Sequence, residues 1–74
     1  MDIQLEVAFA TPEGKRVIEL WKVYLYRFNN KETHKAKSSA WDAARSAWDK
    51  HFSHICPCYI AYYYWLEHHY DTRS

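Results

Sequence analysis

Trp41, Ala44, Trp48 and Phe52 recur at intervals of three, four and four residues. This is the spacing of one face of an α-helix, and a face bearing two indoles and a phenyl ring has to be covered by the rest of the chain. Ala40 and Ala47 widen the stripe, while Asp42, Arg45, Ser46 and Asp49 take the opposite side. Arg45 and Asp49 form an i, i+4 pair worth only about 0.3 kcal/mol, as expected of a solvated face. Ser39, with Asp42 three residues later, has the pattern of a capping box, so the spacing predicts a helix over 40–52 that begins at Ser39. Pro57 ends anything helical before it.

The covering surface reads as a sheet. Ile3, Leu5, Val7 and Phe9 alternate with Gln4, Glu6 and Ala8, the period of a half-buried strand over 3–9. Thr11-Pro12-Glu13-Gly14-Lys15 then has a proline that presets a turn and a glycine free to complete it. A second strand is predicted over 16–28, rich in β-branched and aromatic residues. Val17, Glu19, Trp21, Val23 and Leu25 lie on one of its faces, and Ile18, Leu20, Lys22, Tyr24, Tyr26 and Phe28 on the other. The rival reading makes Thr11 an N-cap and Pro12 the first helical residue, with Val17, Leu20, Trp21, Tyr24 and Phe28 as a helical stripe. Against it, Gly14 is a poor residue for a first helical turn. Asn29-Asn30-Lys31 reads as a turn, 33–37 as a short polar edge strand, and 58–66 as a last aromatic strand. The expected fold is α+β: a three- or four-stranded antiparallel sheet packed on one α-helix, with a three-helix bundle as the alternative. Residues 1–74 form a single globular domain whose tail frays from about residue 70.

Seventy-four residues sit near the size at which one core becomes marginal without a staple or a partner. Fourteen aromatic residues, four Trp, seven Tyr and three Phe, offset that, since each ring can bury roughly 150–250 Å². The formal charge is only +1, yet residues 15–37 hold Lys15, Arg16, Lys22, Arg27, Lys31, Lys35 and Lys37 against Glu19 and Glu32. The chain opens Met-Asp-Ile-Gln-Leu-Glu, with acids where a secretory signal carries bases, and no apolar stretch approaches the ~18 residues of a membrane span. A cytoplasmic protein with no membrane contact is the expectation. A Cys56–Cys58 disulfide would close a very tight ring, so two reduced thiols are expected.

His51, His54, Cys56 and Cys58, with His68 and His69 later, are the side chains with zinc-ligand chemistry. Their spacing departs from a zinc knuckle, so they read instead as a helix-end histidine pair with partly buried thiols, and neither metal nor cofactor is expected. A Cys–His thiolate pair lacks a glycine-rich oxyanion turn, and one glycine cannot build a phosphate loop, so no enzyme is expected. Lys22, Tyr24 and Tyr26, edged by Arg27 and Lys31, form the predicted partner-binding face: aromatic anchors for an acidic protein surface, or rings that stack on nucleic acid. Asp42 and Asp49, on the helix's outer side, are the next candidate.

From Thr33-His34-Lys35-Ala36-Lys37-Ser38-Ser39 into Ala40-Trp41-Asp42-Ala43-Ala44-Arg45-Ser46-Ala47, the chain resembles a pattern of small phage-encoded inhibitors of the anti-CRISPR or host-takeover type. In these an edge strand runs through a serine cap into an alanine-rich helix. The resemblance covers about residues 16–66, is architectural and carries over no functional residue. It implies a non-catalytic, stoichiometric inhibitor in a bacterial host cytosol, blocking a protein or ribonucleoprotein such as a CRISPR effector or RNA polymerase. A nucleic-acid-binding regulator is the alternative.

Overall fold

The computed structural model describes residues 3–70, and among these every regular element is a helix: α1 Ile3–Ala10, α2 Pro12–Asn29, α3 His34–Phe52 and α4 Cys58–His68. The predicted strands at 3–9, 16–28, 33–37 and 58–66 are therefore corrected to helix. The described residues form a helical bundle, as in the stated alternative, with four helices where that alternative had three.

Each correction has a local cause. In α1, Leu5, Ala8 and Phe9 are buried at i, i+3 and i+4, and Ile3 and Val7 stand outside. The alternating apolar residues thus make two helical ridges on opposite sides. At the α1–α2 corner, Thr11 accepts a bond from Gly14 N–H at 3.0 Å, and its hydroxyl donates to the Ala8 carbonyl at 2.7 Å. Pro12 occupies the first turn. Gly14, which had argued against a helix, is there because the backbone of Ala8 and Phe9 crosses directly over it and leaves no room for a side chain.

Helix α3 begins at His34, six residues before the predicted start at residue 40. Its N-cap is Thr33, whose hydroxyl accepts from Ala36 N–H at 3.1 Å, and Ser39 is an exposed residue within the helix. In the α2–α3 turn Lys31 takes a left-handed conformation (φ 53°), and backbone bonds run from Lys31 to Phe28 and from Glu32 to Arg27. Pro57 begins α4 and ends nothing: its carbonyl accepts from Ile60 and Ala61. In α4 the strand propensity of the tyrosines yields to packing, with Cys58, Ala61, Tyr62 and Trp65 making the i, i+3, i+4, i+7 stripe that is buried.

All four helices meet at one pair of indoles. Trp21 of α2 and Trp48 of α3 are fully buried and stack with centroids 5.9 Å apart. Phe9 of α1 reaches both, at 6.0 and 6.1 Å, while Tyr62 and Trp65 of α4 lie 5.6 and 5.5 Å from Trp21. Trp48 Nε1 donates to the Cys56 carbonyl at 2.7 Å, tying the α3–α4 connection to the core. The tail expected to fray from residue 70 lies beyond the described residues except for Tyr70, which is half-buried with its ring 4.8 Å from Trp65.

Candidate functional site

Helices α2 and α3 are amphipathic, and the outer face of α2 mixes its charges with the exposed Val23, Tyr26 and Phe28. The terminal helices α1 and α4 are apolar around most of their circumference, yet only one side of each meets the core. What remains outside is Ile3 (68% exposed) and Val7 (61%) on α1, and Tyr59 (54%), Ile60 (44%) and Tyr63 (64%) on α4. Ile3 and Val7 are one turn apart and form a ridge. Tyr59, Ile60 and Tyr63 adjoin one another on α4, and Glu67 interrupts that side only near its end. Ile55 joins the two groups: with Ile3 it lines a cleft of about 240 Å³ that reaches Ile60 and Tyr64. A second cleft of about 300 Å³ runs beside the Ile3–Val7 ridge, with His51, Phe52, His54 and Ile55 on its far side. An apolar surface left open by two helices, with recesses beside its ridge, is the usual mark of an interaction site.

The seam between the two helices of this surface is fastened by one carboxylate. Glu6 Oε2 accepts from Tyr64 Oη at 2.9 Å and from His69 Nε2 at 2.7 Å, linking α1 to the end of α4. Hydrogen bonds from His69 first, and Tyr64 next, hold the Glu6 carboxyl below its ordinary value. The network fixes how α1 lies against α4, and so the width of the ridge-and-cleft surface.

The five residues expected to form a binding face do not share one. Lys22 is exposed and pairs with Glu19 at 3.5 Å, and Tyr26 stands beside it, 65% exposed. Tyr24 turns inward, its ring 5.2 Å from Trp41 and 6.0 Å from Tyr62. Arg27 donates to the Ala36 carbonyl at 3.0 Å, and Lys31 forms the turn. On a helix, residues 22 and 26 share a side and residue 24 lies across from them, so the strand reading grouped side chains that the helix separates. Asp42 and Asp49 are exposed on α3, but Arg45 and Lys50 lie among them and the face is mixed.

The histidines and cysteines are also dispersed. His51 and His54 are exposed beside the larger cleft, and His69 holds Glu6. His68 stacks on Tyr64 at 4.4 Å. Among the described residues no three His, Cys, Asp or Glu side chains come together as a metal site. Cys58 is buried, and burial pushes its thiol up to about 11, with the Trp21 indole acting in the other direction. It is a thiol at neutral pH, the less nucleophilic form of the side chain. No helix among the described residues is long and apolar enough to cross a membrane. No protein-family model matches the sequence, and neither curated proteins nor solved structures give a match.

The terminal apolar surface was missed because alternation hides it. Ile3, Leu5, Val7 and Phe9 look like one strand face, when in a helix they divide into an inner and an outer pair. The available signal was that 58–66 contains only apolar and aromatic residues, more than one core side can absorb.

Proposed function

We propose that this chain is a non-catalytic protein-binding module whose interface is the outer surface of α1 and α4. One observation carries the reading: Ile3, Val7, Tyr59, Ile60 and Tyr63 are solvent-exposed on two helices whose inner sides are already in the core. Tyrosines and branched aliphatics beside recesses are the groups that anchor protein interfaces, since they bring large apolar area at small entropic cost. The inhibitor resemblance rests on an edge strand running into a capped helix. Residues 34–37 are the first turn of α3 instead, so the reading relies on the exposed surface and not on that resemblance.

The test is capture by tagged chain, with co-expressed untagged copies included, comparing wild type, Val7→Glu, Tyr63→Glu and Lys22→Glu. Protein retained by wild type and Lys22→Glu but lost from the other two supports the reading. Equal retention by all four defeats it.

A nucleic-acid reading has its own support. Lys15, Arg16, Lys22 and Tyr26 are all exposed along the outer side of α2, with Glu19 the only acid among them. Binding of a random oligonucleotide would then fall log-linearly with salt and be lost in Lys22→Glu.

A further inference from the structure

The α1–α4 surface has three properties whose combination identifies its occupant. The first is charge. Among the described residues each acid near it has a base or a hydrogen-bond donor beside it or stands at its end: Glu6, on the seam between α1 and α4, is bonded to Tyr64 and His69, Asp49 lines the recess beside Tyr59 together with Arg45, and Glu67 lies near the end of α4. A copy of the same surface therefore meets little repulsion, whereas the outer side of α2, with Lys15, Arg16 and Lys22, would repel its own copy.

The second property is shape. The Ile3–Val7 ridge and the cleft of about 300 Å³ beside it belong to one surface. A two-fold pair requires that self-complementarity, because the ridge of each copy must enter the cleft of the other. Ile3 and Val7 form an i±4 row, and two such rows interdigitate at a crossing angle of about 50°.

The third is area. Tyr59 and Tyr63, each more than half exposed, leave roughly 100–150 Å² per ring open, and Ile3, Val7 and Ile60 add roughly 60–80 Å² each. The sum is on the order of 450 Å² of apolar surface. A standard interface buries about 800 Å² per partner, of which about 56–65% is apolar, so the surface meets what a stable pair needs.

We infer that the occupant is a second copy of this chain: two copies pair about a two-fold axis, α1 against α1, with Tyr59, Ile60 and Tyr63 flanking the contact. This rests on the reading of the α1–α4 surface as a protein interface and names its partner. Pairing would also supply a short chain with the additional burial that small domains otherwise take from disulfides or metals.

Sedimentation equilibrium of the full chain at micromolar concentration tests it. Wild type and Lys22→Glu should have twice the 9.0 kDa chain mass. Val7→Glu and Ile3→Lys, both at exposed positions, should have the single-chain mass with unchanged helical circular dichroism. Single-chain wild type overturns the inference, as does a Val7→Glu protein that still pairs. If wild type is a single chain and Val7→Glu loses a different captured protein, the self-pairing fails and the interface reading stands. If capture is also unchanged, both fail.

Discussion

The carbonyl oxygen of Ala8 lies so close over Gly14 that a β-carbon at residue 14 would overlap it and stand 2.9 Å from Phe9 Cα. Both contacts are with backbone, which cannot rotate away. The same carbonyl accepts from the Thr11 hydroxyl and amide, so the corner joining α1 to α2 is closed around one oxygen. Gly14→Ala, which in an exposed helix would stabilise by about 1 kcal/mol, should here destabilise by about 1–3 kcal/mol in urea unfolding. A gain in stability would mean that α1 does not cross α2 at this point.

Trp21 and Trp48 are equally buried and stacked, but their N–H groups differ. Trp48 Nε1 donates to the Cys56 carbonyl, while Trp21 Nε1 is buried with no full hydrogen bond among the described residues. Replacement by Phe removes the same ring volume at both sites. Trp48→Phe should therefore cost about 1–2 kcal/mol more than Trp21→Phe, since it also strands a carbonyl. Equal unfolding midpoints would contradict the Trp48–Cys56 bond.

Lys31 holds a left-handed conformation (φ 53°) that costs a residue with a β-carbon about 1–2 kcal/mol. Lys31→Gly relieves it, against the entropy that glycine adds to the unfolded chain. A net gain of about 0.5–1 kcal/mol is expected in thermal or urea unfolding. A loss would place a needed lysine contact in this turn.

The sequence showed the core stripe of α3 because Trp41, Ala44, Trp48 and Phe52 have one period and charges occupy the other side. Its true start was not legible: 34–39 has Ala36 as its only apolar residue, so no apolar period reaches back to Thr33, and 33–37 read as a polar edge strand. Helices α1 and α4 were misread because period analysis needs a polar face, and these helices have apolar residues on both sides. Of the predicted binding residues, the exposure of Lys22 and Tyr26 was legible. The inward turn of Tyr24 follows only from helical geometry and its contact with Trp41.

The bond of Glu6 to His69 and Tyr64 makes stability depend on acid. Because the folded carboxyl titrates below the ordinary 4.5, its contribution is fully present above that value and is lost as pH falls through the lower folded value. The stability difference between wild type and Glu6→Gln should be constant near neutrality and shrink in acid. A difference that persists unchanged at strongly acidic pH would contradict the linkage.

Tyr63 and Tyr26 are matched probes of the central claim, being 64% and 65% exposed, the first on the α4 surface and the second on the outer side of α2. A photo-crosslinking phenylalanine analogue placed at each position in turn, in cells expressing the chain, reads directly which surface touches protein. The account predicts a discrete protein adduct from position 63, of twice the chain mass if the partner is a second copy, and none from position 26. An adduct from position 26 alone would contradict it.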